Sequence, residues 1–180
     1  MNPHKYLDLK EKLIELGYSA DIEWAENVKK CKDSASFCQE YIWVICNSGM
    51  KNQIAEIIYK RILQAIIDHV DISEVFGHKG KVKAIKSMIK WHRTRFALYL
   101  KSEDKLGFCQ SLPYIGKITK YHLAKNLGEN VIKPDRHLSR IAKQYNTDPF
   151  ILCQKLSERL GENLHTVDVV LWRAANLRLI

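Results

Sequence analysis

The sequence has no CxxC pair, no apolar stretch approaching about 18 residues, no alternating apolar–polar run of the strand type, and no repeat or low-complexity tract. Each absence closes off a class. Without a long apolar stretch no membrane span is expected. The opening MNPHKYLDLKEK lacks the apolar core of a secretory signal, which points to the cytoplasm, or to the nucleoid if the source is prokaryotic. Five cysteines (31, 38, 46, 109 and 153) are an odd number and lack zinc-ribbon spacing, so reduced thiols are expected rather than a disulfide scaffold. His69, His78, His92 and His122 fall in no ligand spacing such as HExxH, and no protein-bound catalytic metal is expected.

What the chain does have is ordinary material for a packed core and an uneven charge. Of its 180 residues 46% are apolar and 27% charged, far from the disordered class and enough for one compact body. It carries 29 Lys and Arg against 20 Asp and Glu, a net charge of +9. Twelve of those cations lie between positions 77 and 125, where Glu103 and Asp104 are the only acids, so this segment carries +10 and the remainder −1. A concentrated basic face suits a polyanion, because neutralised phosphates release condensed counterions. A solvated basic helix surface would have the same composition.

Hydrophobic periodicity predicts helix throughout and an all-α fold. Helices are expected over 5–16, 20–32, 35–46 (capped by Asp33 or Ser34) and from Ile54 to about His69. Basic helices follow at 79–91 and 93–100, then shorter ones at 103–110 and 117–127. Another opens at Pro134-Asp135, with the proline in the first turn; one runs from 147 to about 160, and the last is capped by Thr166. Cys31, Cys38 and Cys46, at intervals of seven and eight, suggest a buried helical seam. Trp24, Trp91 and Trp172 read as core or interface.

Chemistry is most concentrated in LPYIGKITKYHLAKNLGENVIKPDRH, residues 112–137. Leu-Pro-x-Ile-Gly-x-x-Thr between two short helices is a helix-hairpin-helix pattern. Gly116 would let a partner approach the backbone, and the following helix N-terminus offers unpaired N–H groups suited to phosphate. Leu112 and Ile115 would pack beneath the turn, and Lys117, Thr119 and Lys120 would add phosphate contacts that position a nucleic acid without reading its sequence. The same hairpin also serves as a plain corner between core helices. Asp135 follows Gly116 by nineteen residues, at a helix start where a capping Asp is common.

With Leu112, Pro113, Ile115, Gly116, Thr119, Asp135, His137 and Arg140 in this order, the chain resembles the helix-hairpin-helix Gly/Pro-Asp superfamily of DNA glycosylases, most specifically over 112–141. The resemblance implies a two-lobed helical fold with a DNA-binding cleft. Residues 1–34 would pack with 135–180, and 35–134 would form the hairpin-bearing lobe. It implies an enzyme acting as a monomer on double-stranded DNA, flipping a damaged, mismatched or modified base and hydrolysing its N-glycosidic bond. Asp135 would be catalytic, and Tyr114, Gly116, Lys117, Thr119 and Lys120 would bind DNA. His137 would orient local backbone.

NSGMKNQIAEIIYKRILQAI resembles the family's gap-filling loop and helix, with Lys51 and Asn52 at the plug, although an exposed helix start reads the same way. Tyr41 and Trp43 either stack on an extruded base or belong to the core.

Three departures shape the expectation. Members that also cut the backbone place a lysine two residues after the hairpin glycine; here that residue is Ile118, which implies a monofunctional hydrolase, with Lys117 and Lys120 as the lyase alternatives. Only Cys153 lies beyond the hairpin, so no iron–sulfur cluster and no other cofactor is expected, apart from a monovalent cation on the hairpin carbonyls. Tyr114 stands where the family usually has glycine, and a tyrosine resists positive φ. The alternative activity is that of a non-catalytic helix-hairpin-helix DNA-binding protein, and a basic helical adaptor is a third.

Overall fold

A computed structural model describes all 180 residues and contains helices only. In chain order these are α1 (Pro3–Glu15), α2 (Ser19–Asn27), α3 (Ser34–Asn47), α4 (Asn52–Ile67), α5 (Ile72–Val75), α6 (Lys79–Lys101), α7 (Lys105–Ser111), α8 (Thr119–Asn126), α9 (Arg136–Gln144), α10 (Pro149–Leu160) and α11 (Leu164–Asn176). Short polar side chains start most of them. Asn2, Asp33, Asp71, Asp104, Asp135, Asp148 and Asn163 each accept a backbone N–H of the first turn that would otherwise be orphaned.

Several boundaries differ from the periodicity. The segment α2 stops at Asn27, so Cys31 lies outside any helix, with its N–H donated to the Leu127 carbonyl at 2.9 Å. Cys38 and Cys46 are buried on α3; Cys31 is not part of their seam. The two basic helices expected at 79–91 and 93–100 are one helix of 23 residues, because no Gly or Pro interrupts them between 81 and 101. Asn163, not Thr166, caps α11; Thr166 is buried and gives both its N–H and its hydroxyl to Asn163 Oδ1. Pro134 precedes the Asp135 cap instead of occupying the first turn.

The chain divides into two compact units, Met1–Lys29 with Gly128–Ile180 (the terminal unit) and Lys30–Leu127 (the inserted unit). These limits fall a few residues before the positions 34/35 and 134/135 that the sequence suggested. In the terminal unit, Tyr6 and Leu13 of α1 bury against Leu138 and Ile141 of α9, Leu156 of α10 and Val170 of α11. Most of its part-buried polar groups are matched, Arg173 Nε excepted: the Tyr6 hydroxyl donates to Glu162, which also takes the Lys10 ammonium at 2.6 Å. The irregular segment ahead of Asp135 is pinned to α11. Glu129 O accepts from His165 Nε2 at 2.5 Å, Asn130 Oδ1 from Leu164 N–H at 3.1 Å, and the buried Asp168 carboxylate from Lys133 N–H at 3.0 Å.

In the inserted unit α3 is enclosed by its neighbours, with Phe37, Tyr41, Ile42 and Ile45 inaccessible or nearly so. Each such side chain contributes about 1.5–3 kcal/mol of apolar burial. Phe37 meets Phe96 and Tyr99 of α6 with ring centres 5.7 and 5.5 Å apart. Helix α4 buries Ala55, Ile62 and Ala65, while Ile54 and Ile57 on its expected apolar face stay half exposed.

Candidate functional site

The hairpin joins α7 to α8 in the inserted unit. Leu112 and Ile115 are buried beneath it, and the Ile115 N–H closes a turn on the Leu112 carbonyl at 3.2 Å. Tyr114 adopts φ 65°, the left-handed conformation that its ring was expected to resist. Such backbone costs a bulky residue about 1–2 kcal/mol, and the ring's surroundings offset it. Its hydroxyl lies 3.2 Å from His78 Nε2, the rings meet edge-on at 5.7 Å, and the ring edge comes within 3.0 Å of where a Cβ on Gly80 would sit. His78 Nδ1 accepts the Lys81 N–H, which puts the proton on Nε2, donating to Tyr114. The hairpin is thereby fastened to the N-terminus of α6.

Gly116 does not have positive φ, and a Cβ there would meet only Thr119 Oγ1, at 3.8 Å. Its N–H is spent on Thr119 Oγ1 at 2.7 Å. The next three N–H groups, of Lys117, Ile118 and Thr119, have no acceptor in the protein and sit at the exposed or half-exposed start of α8. They are the unspent donors of the hairpin. Lys117 is exposed and unpaired, whereas Lys120 Nζ donates to Gln110 Oε1 at 2.8 Å and lies over the Tyr121 ring. The carbonyls of Leu112, Pro113 and Gly116 already accept from Ile115, Tyr41 and Lys120, so a monovalent cation would have to share these oxygens.

Tyr41 is core, not a stacking platform. Its ring is inaccessible and its hydroxyl donates to Pro113 O at 2.5 Å, bracing the hairpin from beneath. Trp43 is half-buried, edge-on to Tyr59 at 5.5 Å. One helical turn away, Glu40 is half-buried and accepts from Asn126 Nδ2 at 2.9 Å; burial pushes its carboxyl above the usual range, partly countered by that bond. Lys51 is the exposed N-cap of α4 without a side-chain cap bond, and Asn52 Oδ1 accepts from Asn47 Nδ2 at 2.7 Å. Their loop is anchored from inside by Lys81, whose buried ammonium donates to Ser48 O at 2.6 Å and Cys46 O at 3.4 Å. Burial holds that amine below its ordinary value.

Asp135 belongs to the terminal unit. Its Oδ1 accepts from His137 N–H at 2.8 Å and Leu138 N–H at 3.3 Å, so it does cap α9. Oδ2 is not used by the helix and faces Lys133 Nζ at 3.7 Å, with only 14% of the carboxylate side chain exposed. His137 supplies a backbone donor, while Arg140 reaches the carbonyls of Ala175 and Ile180. The sequence reading passed over Lys133, and the local signal for it was plain: an ammonium two residues before the acid, across a proline. It also passed over His78 and Lys81, whose partners lie 33 to 36 residues away and have no local signal.

Compared with family models, curated proteins and solved structures, the chain matches none. No helix is long and apolar enough to cross a membrane.

Proposed function

We propose that the protein is a DNA glycosylase that hydrolyses the N-glycosidic bond of a flipped base and leaves an abasic site. The two-lobed fold of the helix-hairpin-helix Gly/Pro-Asp superfamily is part of the same proposal. The observation that carries the enzymatic part is Asp135: one oxygen is fixed by two helix N–H groups and the other is left free of the helix, on a mostly enclosed side chain. A carboxylate fixed in this way can stabilise the positive charge that builds on the deoxyribose as the base departs, without reorganising. Its second oxygen can orient and deprotonate the attacking water.

The hairpin supports DNA as the partner. Three successive unspent N–H groups and the Lys117 ammonium suit a backbone phosphate and carry no sequence preference. The loop at Lys51 and Asn52 would occupy the gap left by the extruded base, which must leave the stack before its sugar can react. With Ile118 in place of the Schiff-base lysine, hydrolysis without strand cleavage is the expected outcome.

One observation favours a non-catalytic DNA-binding protein instead: capping α9 is by itself a complete role for Oδ1. Asp135→Asn separates the two, since asparagine caps a helix as well as aspartate does but carries no charge. Duplexes each containing one modified base, treated with alkali after incubation, report base release. A glycosylase loses release in Asp135→Asn and keeps DNA affinity; equal release in the variant would overturn the mechanism.

A further inference from the structure

The hairpin is not the only cationic surface of the inserted unit. Helix α6 contains eight Lys and Arg and no acid, and five of its exposed cations, Lys79, Lys83, Lys86, Lys90 and Arg93, follow one another at intervals of four, three, four and three residues. At about 100° per residue these form one straight ridge, opposite the buried Ile85, Met88 and Tyr99, rising about 21 Å along the helix axis. Lys86 is paired with Asp71 at 2.6 Å and Lys90 lies over the Trp91 ring, while Lys79, Lys83 and Arg93 have no carboxylate partner. At the N-terminal end, Lys79, Lys83 and Lys86 line one side of a 420 Å³ cleft whose other side includes Ser73, Phe76 and Gly77.

Holding unpaired like charges in register is unfavourable unless a polyanion neutralises them. The ridge also begins where the hairpin is fastened, because Lys79 lies between His78 and Gly80, the two residues against which Tyr114 packs. We infer that the α6 ridge and the hairpin form one continuous track for a DNA backbone, the hairpin holding the phosphate at the reacting nucleotide and the ridge following the duplex to one side of it. A length of 21 Å faces about six phosphates of one strand. The inference rests on DNA being the partner, but not on Asp135 being catalytic.

The test uses the full chain and duplexes carrying a single tetrahydrofuran abasic-site analogue. Two quadruple variants remove equal charge: Lys79→Gln, Lys83→Gln, Lys90→Gln and Arg93→Gln on the ridge, and Lys12→Gln, Lys29→Gln, Lys143→Gln and Lys155→Gln on exposed positions of the terminal unit. Affinity is measured against salt concentration, on duplexes extended on one side or the other of the analogue. In the ridge variant the slope of log affinity against log salt should fall by about 3–4, at about 0.9 per lost phosphate contact, with more than a tenfold loss near 100 mM salt. The terminal-unit variant should keep the wild-type slope. Extending the duplex by about six base pairs should tighten wild-type binding on one side only, and the ridge variant should lose that asymmetry. Equal slopes in wild type and ridge variant, equal losses in both variants, or no salt-dependent binding by the wild type would each overturn the track. A ridge effect in a protein that releases no base from any duplex would support the track while defeating the glycosylase proposal.

Discussion

The two units spend their charge in opposite ways. The inserted unit holds 17 Lys and Arg against eight acids, and so carries all of the protein's +9; the terminal unit holds 12 of each and is neutral. In the terminal unit cations and acids balance, and part-buried cations are paired: Lys10 bridges Glu26 and Glu162, Arg173 meets Asp21, and Lys133 meets Asp135, while Lys12, Lys29, Lys143 and Lys155 stay exposed. In the inserted unit many cations face solvent without a carboxylate, along α6 and at the hairpin. Internal pairing stabilises a core and fixes geometry, whereas unpaired surface charge is available to a partner. Under the proposed function a division of labour would follow, the basic unit holding a polyanion and the neutral unit holding one carboxylate still.

The sharpest way to break this comparison is at Asp135. Asp135→Asn should lower base release by about 10²–10³, the usual cost of losing one fixed electrostatic group, with affinity unchanged in a gel-shift titration. Asp135→Ala should lose the cap as well, costing about 1 kcal/mol in a urea melt. If the asparagine variant weakened DNA binding as strongly as the ridge substitutions, the neutral unit would be part of the clamp and the division would fail.

A smaller effect separates the units by pH. Burial pushes the Cys38 and Cys46 thiols of the inserted unit up to about 11, with Arg95 and Lys81 respectively pulling them slightly back. A thiol raised in the folded state contributes stability that is full below the unfolded value near 9 and is lost as pH rises towards 11. The loss should reach about 2.7 kcal/mol per thiol. Lys81, lowered by burial, acts in the opposite sense and regains stability as pH rises towards 10.5. The buried hydroxyls of Tyr6 and Tyr41 are also raised, so their contribution starts to fall only near pH 10. Urea midpoints should therefore begin to drop from pH 9, and a Cys38→Ala, Cys46→Ala protein should drop less between pH 9 and 10, keeping the part due to Cys31, whose thiol burial also raises. An undiminished drop in that variant would assign the transition elsewhere.

Tyr41→Phe removes only the hydroxyl that braces Pro113 and should cost about 1 kcal/mol. Because the hairpin alone loses its brace, DNA affinity should weaken while any base release at saturating DNA is kept. The smallest effect on stability is expected for Gly116→Ala. With no positive φ and only Thr119 Oγ1 at 3.8 Å, a methyl group fits the free protein, and the urea midpoint should shift by less than about 0.5 kcal/mol. A clear loss of DNA affinity in that variant would place a phosphate against the Gly116 backbone; retained affinity would move the anchor to Lys117 and beyond.

Local chemistry made much of this legible in advance. Capping by Asp33 and Asp135, the end of α10 at about residue 160 and the buried Leu112 and Ile115 all follow from neighbours a few residues away. Errors arose where a distant contact decided. Tyr41 suited a core better than a base, but only the Pro113 carbonyl met by its hydroxyl, 72 residues on, shows what it braces. Tyr114 looked ill suited to a left-handed backbone because its partners, His78 and Gly80, lie at the start of another helix. Between Asn163 and Thr166 both residues suit a cap, and the choice turned on which one faced solvent and which the core.

The sequence by itself determined that this chain is helical, that its positive charge is concentrated in the middle, and that a hairpin is followed at a fixed distance by an acid at a helix start. Those properties depend on composition, on 3.6-residue periodicity and on capping, all of which act within one or two turns. Only the tertiary structure decided which cations remain unpaired, which aromatic rings are sealed, and that the hairpin is fastened to the start of the α6 ridge. Those outcomes depend on side chains tens of residues apart meeting in space, where burial and partner geometry, not local preference, set the energy.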